Sequence, residues 1–221
     1  MKILIIEDEV DIATQLAGHL EQAGFVTHVL HDGGEAAFAG TGAEYDGIAL
    51  DLGLPGTDGM TILRQWREAG VTTPVVVLTA RTAKRDVIQA LEAGADDYVG
   101  KPFDPDEVAA RLRATIRRAS QRASNHYSYG AVELDDSRGR VKLDGVQVAL
   151  TRTEYLLVQF LFLHQGHVRS ISEIADHVYD DFDHDSSIVQ RHVANVRKKL
   201  GKDVIVTVAN RGYMIPDANS A

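Results

Sequence analysis

Between residues 1 and 119, five short apolar runs, most of them unbroken, alternate with five stretches of helical spacing, and this alternation constrains the fold more than any other feature. The runs are Ile3–Ile6, Val26–Leu30, Ile48–Leu50, Val75–Leu78 and Tyr98–Val99. The helical stretches cover 10–22, 33–40, 59–69, 83–93 and 105–118. A strand with no polar positions has no face to offer to water. Such strands form a parallel sheet with helices on both sides. The last helix carries start signals: Asp104 as cap, Pro105 in the first turn and Glu107 to complete a capping box.

The pattern changes near residue 120. Residues 120–127 are polar and aperiodic and are read as a linker, dividing the 221-residue chain into domains at 1–119 and 128–221. Beyond the linker come hairpin-like strands at Ala131–Leu134, Arg140–Leu143 and Val146–Leu150. Helices are expected over 152–164, 171–179 and 187–200. The first two open with Thr151/Glu154 and Ser170/Glu173 boxes. A final hairpin joins Val204–Val208 to Tyr213–Pro216. The expected fold class is α/β: a doubly wound five-stranded parallel sheet, followed by a smaller α+β domain. No apolar run approaches the roughly 18 residues of a membrane span. The opening MKILIIEDEV lacks the length and cleavage site of a signal peptide, and there is no cysteine. These features point to the cytoplasm and away from a membrane.

In an open parallel sheet, ligands bind beyond the carboxyl ends of the strands. Glu7 and Asp8 follow the first strand, Asp51 ends the third, Thr79 ends the fourth and Lys101 follows the fifth. Crowded carboxylates repel, by about 4 kcal/mol for two charges 4 Å apart at an effective dielectric of 20. A hard divalent cation, Mg²⁺ above all, relieves that repulsion. With Asp51 as nucleophile, the cation would screen an incoming phosphoryl group, Lys101 would neutralise one of its oxygens and Thr79 would hydrogen-bond another. Taken singly, an acidic pair after a strand is usually a helix cap, and a lone aspartate a turn residue. The joint placement at four strand ends carries the reading.

Net charge is −9, which at first opposes nucleic-acid binding. The excess lies in the first 119 residues, with 19 acidic against 11 basic groups; residues 120–221 hold 13 against 12. Within 187–212 six basic residues face one acid, Asp203. Ile188, Val189, Val193, Val196 and Leu200 recur at core spacing, while Arg191, His192, Asn195, Arg197, Lys198 and Lys199 lie elsewhere on that helix. Arginine reads guanine edges and asparagine adenine, whereas lysine mostly meets phosphate. Arg211 in the following turn suits a narrow minor groove. A basic amphipathic helix alone would more often be a solvated face.

The blocks ILIIEDE, ALDLGLPGTDG, VVVLTAR and GADDYVGKPF resemble those of response-regulator receiver domains, over all of 1–119. LTRTEYLLVQFLFLHQGHV, the helix ending RKKL and TVANRGYMI resemble the winged-helix effector domain of the OmpR/PhoB family, over about 128–217. The resemblance implies a two-component response regulator. Asp51 would be phosphorylated by a sensor histidine kinase. Glu7, Asp8, Asp51 and the Gly53 carbonyl would hold Mg²⁺, with Thr79, Tyr98 and Lys101 completing the switch. Promoter double-stranded DNA would meet Arg191, His192, Asn195, Arg197, Lys198, Lys199, Thr207 and Arg211. The loop joining the two helices of the helix-turn-helix would touch RNA polymerase. A homodimer would form on phosphorylation through Asp96, Asp97, Glu107, Arg111 and Arg118, with Val87 where Glu107's usual basic partner stands. No enzymatic activity is implied beyond the receiver's own phosphoryl transfer and dephosphorylation. In the wing, Ala209-Asn210 replaces the family's Arg-Gly, and Asn tolerates the left-handed conformation glycine would adopt.

The rivals fit less well. A haloacid-dehalogenase-type phosphotransferase places D-x-D after the first strand, where this chain has Glu7-Asp8-Glu9. A dinucleotide-binding enzyme would show G-x-G-x-x-G there. A phosphorylation-independent DNA-binding protein with a degenerate receiver would not keep Glu7, Asp8, Asp51, Thr79 and Lys101 together. Asp181, Asp183 and Asp185 have calcium-loop spacing, but Ser186 and His192 stand where glycine and glutamate belong. The histidine pairs 28/31 and 164/167 are read as surface or packing residues.

Overall fold

The computed structural model describes residues 1–42, 45–80, 83–119, 126–179 and 186–217. These residues fall into two compact units that divide near residue 123. The first runs β1 (Lys2–Ile6), α1 (Val10–Gln22), β2 (Val26–Leu30), α2 (Gly33–Gly42), β3 (Gly47–Asp51), α3 (Gly59–Glu68), β4 (Val75–Thr79), α4 (Lys84–Glu92), β5 (Asp97–Gly100) and α5 (Pro105–Ala119). All five strands are parallel, in the order β2-β1-β3-β4-β5.

Strands β3 and β4 are buried at every position and β1 at all but its first, which is why they read as solid apolar runs. The alternation of side chains still sorts their residues onto two faces. Leu4, Ile6, Ile48, Leu50, Val75 and Val77 join Ile62, Leu63 and Trp66 of α3 in one cluster. The intervening Ile3, Ile5, Ala49, Val76 and Leu78 are buried too, as are Leu16 and Leu20 of α1 and Val108, Leu112 and Ile116 of α5. Helix α5 packs against β3, β4 and α1. Asp104 Oδ1 accepts from the Asp106 amide (2.9 Å), so it caps α5 as expected. The capping box is not closed by Glu107. Its Oε1 accepts instead from Nε (2.9 Å) and Nη2 (2.7 Å) of Arg111 one turn on, a charge-assisted pair stronger than a single amide bond.

The second unit runs β6 (His126–Tyr129), β7 (Val132–Asp135), β8 (Arg140–Leu143), β9 (Val146–Val148), α6 (Arg152–Leu163), α7 (Ile171–Val178), α8 (Ser186–Leu200), β10 (Val206–Val208) and β11 (Gly212–Met214). Strands β6 to β9 form an antiparallel meander, and β10 pairs with β11. Residues 126 and 127, expected in the linker, belong to β6. This edge strand alternates exposed and half-buried residues, so its polar text hides a strand that Tyr127 anchors opposite Leu134 and against Phe162. Ten of the twelve α6 residues are buried, as befits a helix covered on all sides. Both expected capping boxes are present, Thr151 with Glu154 and Ser170 with Glu173. No described helix is long and apolar enough to cross a membrane.

Candidate functional site

The strand order places β1 beside β3 and β3 beside β4, so the residues just past their carboxyl ends meet. Ile6 is in register with Leu50, Asp51 with Leu78, and Thr79 with Gly100. Glu7, Asp51 and Thr79 are buried, and Asp8 is half-buried. Glu7, Asp8 and Asp51 each offer an oxygen, and these atoms lie within 4.8 Å of one another. Lys101 Nζ reaches in from beyond β5, 2.7 Å from both oxygens of Glu7 and from Oδ2 of Asp51. Asp51 Oδ1 accepts from the Gly53 amide (2.9 Å). Gly59 lets α3 start against this loop: a Cβ there would lie 2.2 Å from the Asp51 carbonyl oxygen.

Burial pushes the Glu7 carboxyl above the usual range despite the Lys101 hydrogen bond, and the Asp51 charge adds to the rise. Burial alone would depress Lys101, but its hydrogen bonds to Asp51 and Glu7 overcome that and raise it. The lysine directs its hydrogen bond at Glu7 Oε1, leaving buried Oε2 without one. One ammonium therefore lies among three clustered carboxylates and is bound to only two of them, Glu7 and Asp51. This donor set, all hard oxygens, fits a small divalent cation.

On α8 the residues sort into two faces. Val189, Val193, Val196 and Leu200 are buried. Ser187, Gln190, Arg191, Ala194 and Lys198 are exposed and, at spacings of three and four, share one side. The wing stands beside this helix. Asn210 sits at φ 59°, the left-handed conformation expected of it, and Gly212 at φ 129°. The wing is bound to the segment before α7 by reciprocal backbone bonds between Arg169 and Tyr213 (2.8 and 2.9 Å). A Cβ on Gly212 would lie 1.9 Å from the Arg169 carbonyl oxygen, so this approach requires glycine. A cleft of about 470 Å³ opens between the start of α7, Gln190 and the wing, with exposed Arg211 on its rim.

Comparison with known proteins agrees with both halves. Residues 3–113 match the family of response regulator receiver domains. Residues 145–215 match the family described as transcriptional regulatory protein, C terminal. The transcriptional regulatory protein QseB of Escherichia coli O157:H7 is 40% identical over 216 residues, covering 97% of this chain and 99% of that protein. The chain belongs to the OmpR/PhoB-type response regulators. The response regulator protein PmrA of Pseudomonas aeruginosa is 38% identical over 216 residues, covering 97% of this chain and 98% of that one. Among solved structures, the receiver domain of a Francisella response regulator aligns with 53% of this chain and 97% of its own (TM-score 0.52, 35% identity). This response regulator is accordingly a DNA-binding transcriptional regulator of a two-component system.

Within the response regulator, the residues expected at the acidic site come together, and several expected elsewhere are occupied otherwise. Lys199, expected on a phosphate, donates to Glu154 Oε2 (2.7 Å) and the Ala149 carbonyl (3.1 Å), because Glu154 is buried and needs a cation. Arg197 donates to the Ile205 carbonyl and to Thr207 Oγ1 (2.7 Å), which engages Thr207 as well. His192 is half-buried with its ring 5.8 Å from that of Tyr179, and burial followed by the Arg191 charge lowers its pKa. Asn195 is half-buried. Arg191, Lys198 and Arg211 remain exposed. Gln190 and Ala194, not among the expected DNA contacts, lie on the same exposed side.

The receiver surface shows the same redistribution. Within the chain, Asp96 Oδ2 accepts from Arg67 Nη2 (2.9 Å) and the Val75 amide (2.8 Å). Among the described residues, Arg118 meets the Asp96 carbonyl, at 3.4 Å. Arg111 bridges Asp97 (3.0 Å) and Glu107 within the chain, so Glu107 has a cation without one at Val87. The acidic run Asp181, Asp183 and Asp185, with the loop assigned to RNA polymerase, lies outside the described residues.

Proposed function

We propose that a sensor histidine kinase phosphorylates this response regulator on Asp51 and that the modified chain binds promoter DNA more tightly. The observation that carries the reading is the convergence of Glu7, Asp8 and Asp51 within 4.8 Å, with Lys101 bound to two of them. An Asp51 oxygen forms the new bond to phosphorus as the bond to the kinase's histidine nitrogen breaks. Glu7, Asp8, Asp51 and the Gly53 carbonyl are the residues to hold Mg²⁺. When bound, Mg²⁺ supplies positive charge to screen the phosphoryl oxygens. Lys101 shifts its hydrogen bond from the carboxylates to a phosphoryl oxygen, and Thr79 donates its hydroxyl to another. Tyr98, beside Thr79's strand and packed on the core cluster, follows the threonine.

The modified receiver then self-associates through α4, β5 and α5. On α4, Ile88 and Leu91 are exposed apolar residues that such an interface would cover. On DNA, α8 enters the major groove with Gln190, Arg191 and Ala194 toward the bases and Lys198 toward phosphate, and Arg211 extends from the wing to the minor groove. The test is intact-protein mass after incubation with a small acyl phosphate. The expected result is one phosphoryl group in the presence of Mg²⁺, none with chelator and none in Asp51→Asn. Uptake by Asp51→Asn at the wild-type level overturns the assignment.

A further inference from the structure

Arg197 is the one α8 residue expected to touch DNA whose guanidinium is directed at the wing. Its Nε and Nη2 both donate to the Ile205 carbonyl (3.0 and 2.7 Å), and Nη2 also donates to Thr207 Oγ1 (2.7 Å). Its Cζ lies 5.9 Å from the centre of the Tyr213 ring. Thr207 lies on β10, the strand leading to the hairpin tip, Ile205 immediately precedes that strand, and Tyr213 lies on β11, the strand leaving the tip. One side chain thus holds both strands.

The wing needs such a hold. It has two paired strands of three residues each, too short to keep a fixed direction alone. The Arg169–Tyr213 bridge ties it to the entrance of α7, not to α8. The Arg197 bonds connect the wing with the recognition helix, so they set where Arg211 stands relative to the exposed side of α8. A fork of fixed planar donors suits this task, because its direction is pre-organised, whereas a lysine presents a point charge on a flexible stem.

We propose that Arg197 is a positioning residue for DNA recognition: it latches the wing to α8 and so aims Arg211, instead of contacting phosphate itself. The inference rests on the reading that Arg211 binds DNA, and the test separates the two. The full chain is assayed on a duplex that the wild type selects from a random-sequence pool, at several salt concentrations. Arg197→Lys keeps the charge and breaks the fork. Affinity should fall about tenfold, the loss of a charged hydrogen bond, with the slope of log K against log salt unchanged. Arg211→Ala should also cost about tenfold. The double variant should lose little beyond either single one, since an unlatched wing no longer delivers Arg211.

Wild-type affinity in Arg197→Lys, or multiplying losses in the double variant, overturns the proposal. A silent Arg211→Ala would instead overturn the wing's role in DNA binding. Thr207→Val removes only an acceptor at an exposed position and guards against misfolding of Arg197→Lys. It should weaken binding in the wild type and be silent beside Arg197→Lys. Equal losses in both backgrounds count against the latch.

Discussion

Asp8→Asn should make the receiver more stable while removing its response to Mg²⁺. Oxygens of Asp8, Glu7 and Asp51 lie within 4.8 Å of one another, a separation at which two like charges cost about 3.5 kcal/mol at an effective dielectric of 20. Asp8 meets two such charges, and Lys101, bound to both, offsets roughly one of them. About one repulsion remains. Asp8 is half-buried, so solvent screening reduces this to about 1–2 kcal/mol. For a unit of this size that corresponds to a rise in Tm of about 4–8 °C. Trp66 is the chain's single tryptophan and is buried in the receiver core, so its fluorescence reports the unfolding of that unit within the full chain. With chelator present, Asp8→Asn should melt above the wild type. Added Mg²⁺ should raise the wild-type Tm and leave the variant's unchanged. A variant that melts at or below the wild type in chelator refutes the argument from uncompensated charge.

Further outcomes follow from the second unit and the receiver surface. The amide and hydroxyl of Ser170, with Arg169, hold Glu173 down at about pKa 2 against the opposing effect of burial. Its folded value lies below its unfolded one, so its stabilisation is present above about pH 4.5 and is lost as pH falls toward 2. Discounted for a side chain 30% exposed, this amounts to about 1–2 kcal/mol. The stability gap between wild type and Glu173→Gln should therefore narrow as pH falls below about 4.5 and close near pH 2, and a constant gap in far-UV melts refutes the assignment. Lys198→Ala should flatten the salt dependence of DNA binding by about 0.9 in log–log slope. Lys199→Ala should leave that slope alone and lower stability by about 1–2 kcal/mol, since buried Glu154 loses its cation. The reverse pattern would restore Lys199 to the DNA. Leu91→Asp should abolish phosphorylation-dependent self-association in sedimentation, and an undiminished dimer rules out the α4 face.

Much of this was legible in the sequence because the receiver's local signals agree with its topology. The first helix spans the expected Val10–Gln22, and β1, β3 and β4 are marked by runs that only double burial explains. The acidic site was legible from one rule, that strand carboxyl ends converge where the strand order reverses. Strand β6 was not, because an edge strand open to solvent on one side carries little hydrophobic signal. Side-chain partners were the other gap. Lys199 is paired with a residue 45 positions away, and Arg197 with a backbone carbonyl that any residue would supply. Asp96 is held within the chain by Arg67, a partner 29 positions away. A helical projection of α8 places Gln190 and Ala194 beside Arg191, but the expected contacts were chosen by side-chain chemistry and did not include these two.

The most direct measurement is the affinity of the full chain for its selected duplex before and after treatment with an acyl phosphate and Mg²⁺, in the wild type and in Asp51→Asn. Phosphoryl transfer to Asp51 should tighten wild-type binding by at least tenfold, the scale of a typical coupling free energy, and leave Asp51→Asn unchanged. Equal tightening of both proteins, or none in a wild type shown by mass to be phosphorylated, would contradict a switch operated through Asp51.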